Sequence, residues 1–244
     1  MNKTFADIHL EKKEKVSDKW ESYLSYYEKI FSPLKKNNLS LLEIGIQNGG
    51  SLETYSEYFK NAKIIIGCDK KQKCSLLKYS DPKINIVIGD INTNETYQKI
   101  LNISDSLDII IDDGSHISSD IIISFLKYFP LLRKGGIYII EDTHTLYSKQ
   151  YGGGLFNQNS AINFFKLLIE VLNYEFWHND ITISNYLSTF FPKDLPKFID
   201  EGWIESIEFR NSIITITKSV NPGHKKLGKK VVTGSEMIVQ KIEI

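Results

Sequence analysis

The chain has 244 residues, 41% hydrophobic and 25% charged, with 30 basic side chains against 30 acidic ones. That length suits one large domain with a substantial core, and the apolar and aromatic content excludes a disordered chain. A net charge of zero argues against nucleic acid as a partner, because phosphate neutralisation by excess Lys and Arg supplies most of that affinity.

Cys68 and Cys74 are too few for a disulfide framework in a chain of this size. Both fall inside the expected core, so a reduced, cytoplasmic protein is the expectation. The first 15 residues are polar and lack the apolar run of a secretion signal. No stretch approaches the roughly 18 consecutive apolar residues of a membrane span.

Residues 17–36 have helical periodicity. Trp20, Tyr23, Leu24, Tyr27, Ile30, Phe31 and Leu34 recur at helical spacing, and such a stripe reads first as a packing face. From residue 39 the pattern changes to short Ile-rich runs at 40–46, 63–68, 84–88, 107–111 and 135–140, as expected of strands buried on both faces. Helices are expected between them at 52–60, 71–79, 93–101 and 117–132. The alternation predicts an α/β fold: a doubly wound, mostly parallel seven-stranded sheet with helices on both faces. A glycine-rich loop at 151–154 leads to a helix near 161–173. Runs at 203–209 and 212–218, joined by Arg210-Asn211, predict a closing antiparallel hairpin. The expected organisation is a helical extension over 1–38, a main domain over 39–218 with substrate-loop insertions at about 143–200, and a tail over 219–244.

Ligands of open α/β sheets bind beyond the carboxyl ends of the strands, so the polar residues there carry the chemistry. The first strand ends in Glu43-Ile44-Gly45-Ile46-Gln47-Asn48-Gly49-Gly50-Ser51. Its glycines let the backbone approach a ligand at a helix N-terminus, but the spacing is not the G-x-G-x-x-G of a dinucleotide site. An acid two residues before the first glycine better resembles a loop binding S-adenosylmethionine. Asp69, after the second strand, can accept hydrogen bonds from ribose hydroxyls or cap the next helix. Gly89 and Asp90 follow the third strand, where methyltransferases contact adenine.

The fourth and fifth strands end in Asp112-Asp113-Gly114-Ser115-His116 and Glu141-Asp142-Thr143-His144. If these strands are neighbours, Asp113, Glu141 and Asp142 converge, and three carboxylates in one cleft need a cation or protons. An all-oxygen set suits Mg²⁺ or Mn²⁺. His116, three residues past Asp113, can take a hydroxyl proton near neutral pH. His144 could be a supporting or merely structural residue.

These motifs, with Asp18-Lys19-Trp20 and Gly135-Gly136-Ile137-Tyr138-Ile139-Ile140, resemble the metal-dependent sugar O-methyltransferases of the macrolide-sugar type, whose scaffold cephalosporin-hydroxylase-like proteins share. The resemblance covers residues 17–218. It implies Asp113, Glu141 and Asp142 as metal ligands and His116 as general base. Glu43, Gly45, Asp69 and Asp90 would line the S-adenosylmethionine site, with Gln47, Asn48, Gly49, Ser51, Gly89 and Asp112 beside them. S-adenosylhomocysteine is then the product, and a sugar or nucleotide-sugar is the acceptor. A catechol-like metabolite is the alternative acceptor. An NAD-linked oxidoreductase and a non-catalytic scaffold are the rival classes. The family often carries a His ahead of its helix tyrosines, where this chain has Glu21-Ser22-Tyr23, and some larger members have a long N-terminal domain that is not seen here. A homo-oligomer is expected, with the aromatic helix and the apolar end of the tail as candidate interfaces.

Overall fold

The computed structural model describes residues 3–178, 180–236 and 238–239. Its seven strands are β1 (Ser40–Ile44), β2 (Ile64–Asp69), β3 (Ile84–Ile88), β4 (Leu107–Asp112), β5 (Leu132–Ile140), β6 (Ile204–Arg210) and β7 (Ile213–Lys218). They lie in the order β3-β2-β1-β4-β5-β7-β6. The first five are parallel, and the β6–β7 hairpin adds antiparallel to β5. This is the expected Rossmann-like sheet. It reverses direction between β1 and β4, where such sheets open a ligand crevice.

Alternate residues of each central strand feed opposite cores. Leu41, Ile65, Ile109, Ile111 and Ile139 pack on one side with α1 (Phe5–Glu11), α2 (Glu21–Phe31) and α3 (Gly50–Tyr58). Leu42, Ile66, Ile110, Tyr138 and Ile140 pack on the other, together with residues of α4 (Asn94–Ile103), α5 (Ser118–Tyr128) and α6 (Ala161–Leu172). Burial on both faces explains why these strands read as continuous apolar runs.

The aromatic stripe of α2 faces this core. Tyr23, Tyr27 and Phe31 are buried, and Tyr27 stacks on Phe31 at 4.7 Å, so the stripe is the packing face its periodicity suggested. Helix α1 was not expected; a capping box between Thr4 and Asp7 starts it, and Phe5 inserts edge-on against Tyr27 and Phe31.

Three boundaries depart from expectation. The helix expected at 71–79 is only a short 3₁₀ turn, Gln72–Leu76, because its apolar residues form no continuous face. Leu76 is exposed, and Ser80-Asp81-Pro82 stops the chain. Helix α5 ends at Tyr128, since Pro130 enforces a 3₁₀ turn at Phe129–Leu131. Strand β5 then begins three residues early, at Leu132, through an irregularity in its pairing with β4 that Gly135 accommodates at φ +79°. The described part of the tail forms no regular element, and its last residues, 240–244, lie outside the described residues.

Candidate active site

A cavity of about 600 Å³ lies across the carboxyl ends of the parallel strands. Gly45 and Gln47 after β1, Asp69 after β2, and Gly89 and Asp90 after β3 line one half. Asp113 and His116 after β4, Glu141 and Asp142 after β5, and the segment Asp18-Lys19-Trp20 line the other. The two halves meet at the sheet's reversal. There Gly45, at φ +85°, lies so close to β4 that a Cβ would fall 2.0 Å from the Asp113 carbonyl oxygen. Only glycine fits that approach.

The first half is built by backbone. Asp69 Oδ2 accepts from the Ile46 and Gln47 N–H groups at 3.1 and 3.0 Å, and Oδ1 accepts from Lys71 N–H at 2.8 Å. The carboxylate ties the glycine loop to β2 and still has acceptor capacity for hydroxyls. Asp90 Oδ1 similarly accepts from Asn92 N–H at 2.9 Å.

Glu43, Asn48, Gly49 and Ser51, also expected at the cofactor, stand behind this wall. Glu43 is fully buried, takes hydrogen bonds from Ser51 Oγ at 2.5 Å and Tyr55 at 3.2 Å, and does not line the cavity. Burial pushes its carboxyl up to about 7, against the pull of Lys19. Gly49 and Ser51 lie at the start of α3, away from the cavity lining, and so does the exposed Asn48. Asp112, by contrast, lines the cavity; its Oδ2 accepts from Ser124 and from Tyr138 at 3.0 Å, so this acid also fastens β4 to its neighbours. Burial pushes it up to about 6 although both hydroxyls work the other way.

The second half is built by side chains from distant segments. Lys19 is almost fully buried, and its ammonium sits 2.6 Å from Asp113 Oδ2 and 2.8 and 2.9 Å from the two oxygens of Glu141. Burial opposes that charge, but Glu141 and Asp113 outweigh it and hold Lys19 well above the usual lysine range. Glu141 also takes a short hydrogen bond from the buried Tyr27 hydroxyl. Burial pushes its carboxyl up, and the Lys19 ammonium pulls it back.

Asp142 is fixed differently. Its Oδ1 accepts from Trp20 Nε1 at 3.0 Å and from the Tyr23 hydroxyl at 2.8 Å, and the same hydroxyl receives Asp142 N–H at 3.1 Å. Ser212, in the β6–β7 turn, touches Tyr23 at 2.8 Å and His144 Nδ1 at 2.5 Å. Asp142 and His116 both sit in the left-handed region, at φ +53° and +58°, a strain of about 1–3 kcal/mol each.

Thus the structure brings together Asp113, Glu141, Asp142 and His116, as the motifs suggested, but groups their atoms in two sets. Glu141 faces Lys19. One oxygen each from Asp113 and Asp142 and one nitrogen of His116 lie within 4.8 Å of one another. His116 Nε2 is 3.9 Å from Asp113 Oδ1 and 4.0 Å from Asp142 Oδ2, too far for hydrogen bonds. The two carboxylates at that separation fit a hard divalent cation, with the His116 imidazole beside it. Sequence reasoning assigned no role to Lys19, Trp20, Tyr23, Tyr27 or Ser212. The polar atoms carried by an otherwise apolar helix stripe were the available signal for the tyrosines.

This architecture recurs in known proteins. The 8-demethyl-8-alpha-L-rhamnosyl tetracenomycin-C 2'-O-methyltransferase of Streptomyces olivaceus is 27% identical over 218 residues, covering 85% of this chain and 53% of the relative. The mycinamicin VI 2''-O-methyltransferase of Micromonospora griseorubida is 30% identical, covering 63% of this chain and 40% of the relative. The structure of the MycE methyltransferase from the mycinamycin biosynthetic pathway, in complex with Mg and SAH, superimposes with a TM-score of 0.67 at 26% identity, covering 81% of this chain and 49% of that one. The chain therefore spans about half the length of these relatives. They are methyltransferases by name, the first acting on a rhamnosyl compound, and they lend no support to the cephalosporin-hydroxylase side of the resemblance. Residues 24–149, just over half of the sequence, match the FtsJ-like methyltransferase model, and the chain belongs to that family.

Proposed function

We propose that this protein is an S-adenosylmethionine-dependent O-methyltransferase acting on a sugar hydroxyl, assisted by a divalent metal and by His116 as general base. The observation that carries this reading is one continuous cleft in which a nucleoside-type half, with Asp69 and Asp90, opens onto the Asp113–His116–Asp142 cluster. The S. olivaceus relative, named for a rhamnosyl substrate, supports the acceptor class. The MycE structure, with its Mg and SAH, supports the cofactors.

Bound in the first half, S-adenosylmethionine would supply an electrophilic methyl group, with S-adenosylhomocysteine as the leaving group. Asp69 accepts the ribose hydroxyls, and Asp90 with the Gly89 backbone borders the adenine. Asp113 and Asp142 would hold Mg²⁺ or Mn²⁺, which would lower the pKa of the acceptor hydroxyl. Glu141, neutralised by Lys19, supports Asp113 from behind. His116 Nε2 receives the hydroxyl proton, because a sugar alcohol is a poor nucleophile without a base. The acceptor is a sugar carried on a nucleotide or another glycoside. Among the described residues no helix is long and apolar enough to cross a membrane.

The test is incubation with S-adenosylmethionine and Mg²⁺ or Mn²⁺ against a panel of glycosides, nucleotide sugars and catechols, with products read by mass. A methylated sugar formed only when the metal is present is the expected result. Methylation of catechols alone, or full turnover in excess chelator, overturns the corresponding part.

A further inference from the structure

We propose that Trp20 is the platform on which the acceptor sugar ring stacks, and so a specificity-determining residue of the cleft; this rests on the sugar reading above. Among the described residues, Trp20 is the only exposed large apolar side chain that lines the cavity, with 59% of its surface open. Most large aromatic side chains of this protein are buried in its two cores. An indole left in water beside a polar cleft is unfavourable unless a ligand covers it.

Its placement is also fixed. Nε1 donates to Asp142 Oδ1 at 3.0 Å, and the ring meets His144 edge to face at 5.8 Å and 89°. The preceding backbone is held as well. Lys19 is pinned between Asp113 and Glu141, and Gly50 N–H donates to Val16 O at 3.1 Å. Trp20 is therefore a rigid surface with one edge on a carboxylate of the reaction cluster.

A pyranose has the complementary form. Its ring C–H groups make a weakly positive, apolar face that suits the negative face of an aromatic ring. Its hydroxyls project at the rim, where Asp142, Asp113 and His116 lie. Stacking would orient a hydroxyl toward the cluster without using the groups that do the chemistry. A flat phenol could stack too, but it would not need the C–H face.

Two substitutions separate the ring from its hydrogen bond. Trp20→Phe keeps an aromatic face and removes the donor to Asp142; Trp20→Gln keeps a donor and removes the face. With methyl α-L-rhamnopyranoside or the glycoside returned by the panel, Trp20→Gln should raise KM at least tenfold with kcat within threefold. Assayed at saturating Mn²⁺, so that a weakened hold on Asp142 does not enter, Trp20→Phe should keep KM within threefold of wild type, and S-adenosylhomocysteine affinity should be unchanged in each. A KM for Trp20→Gln within threefold of wild type overturns the platform. So does a Trp20→Phe defect as large as that of Trp20→Gln, or a loss confined to kcat, because each assigns the residue to holding Asp142 instead. Failure of the sugar reading itself shows separately, as absence of any sugar product from the wild-type protein.

Discussion

The two halves of the cleft hold their acids by different means. Asp69 and Asp90 take backbone N–H groups within or next to their own loops. Asp113, Glu141 and Asp142 instead depend on Lys19, Trp20, Tyr23 and Tyr27, which arrive from about 90 to 120 residues away. Backbone-held acids suit a cofactor half that presents one fixed surface. Side-chain-held acids make the acceptor half depend on the N-terminal segment being docked. The 12–20 segment is thus part of the site as well as of the fold.

The comparison separates if chemistry can be removed from one half without disturbing the other. His116→Ala should lower kcat about 10²–10⁴-fold, the usual effect of losing a general base, while calorimetry finds S-adenosylhomocysteine affinity unchanged. Weakened cofactor binding would mean that the halves are not independent. Lys19→Met should be the most destabilising change. It leaves the buried Glu141 and the adjacent Asp113 without their cation, and breaking such a buried pair costs about 3–5 kcal/mol. Denaturant unfolding measures this. A midpoint equal to wild type would show that Lys19 does not fasten the acceptor half.

The same division explains what the sequence disclosed. Strand ends are local features. The runs before Asp69, Asp112 and Glu141 are Ile-rich and bounded by polar residues, so both the sheet and its terminal acids could be read directly. The 3₁₀ turn at Gln72–Leu76 was misread because a few apolar residues over nine positions mimic a helix until packing fails to support them. Lys19 could not be assigned, since its partners are set by the reversal of strand order between β1 and β4 and by the docking of α2. Neither is encoded near residue 19. Glu43 shows a related limit: position at a strand end fixes which residue is there, but not whether its side chain faces the cavity, as that of Asp112 does, or the layer behind it, as that of Glu43 does.

Asp112 allows a pH test at the wall between the halves. Burial raises its carboxyl from about 3.8 to about 6 in the folded protein, so the native state binds this proton more tightly than the unfolded state. Its contribution to stability is therefore greatest below about pH 4 and falls as the pH rises to about 6. Across that window the loss is about 2 kcal/mol. Asp112→Asn removes this slope while keeping an acceptor oxygen for Tyr138. The stability difference between variant and wild type should shift in the variant's favour from pH 4 to pH 6.5 in urea titrations. A difference independent of pH would show that Asp112 titrates normally.

The smallest effect is expected at Tyr23, where the acceptor half has redundancy. Its hydroxyl both donates to Asp142 Oδ1 and accepts Asp142 N–H, but Trp20 Nε1 also reaches that oxygen. Tyr23→Phe therefore removes one of two side-chain restraints, about 1 kcal/mol for a net hydrogen bond. Supporting hydrogen bonds of this kind tune metal affinity by about tenfold or more when they act alone. With Trp20 still in place, Mn²⁺ binding followed by electron paramagnetic resonance should weaken roughly fivefold, with S-adenosylhomocysteine affinity unchanged. Combining Tyr23→Phe with Trp20→Phe should weaken Mn²⁺ binding by more than the product of the single effects, because Asp142 Oδ1 then has neither restraint. Strict additivity would mean that the two residues fix Asp142 independently, and the acceptor half would then be less cooperative than its shared hydrogen bonds imply.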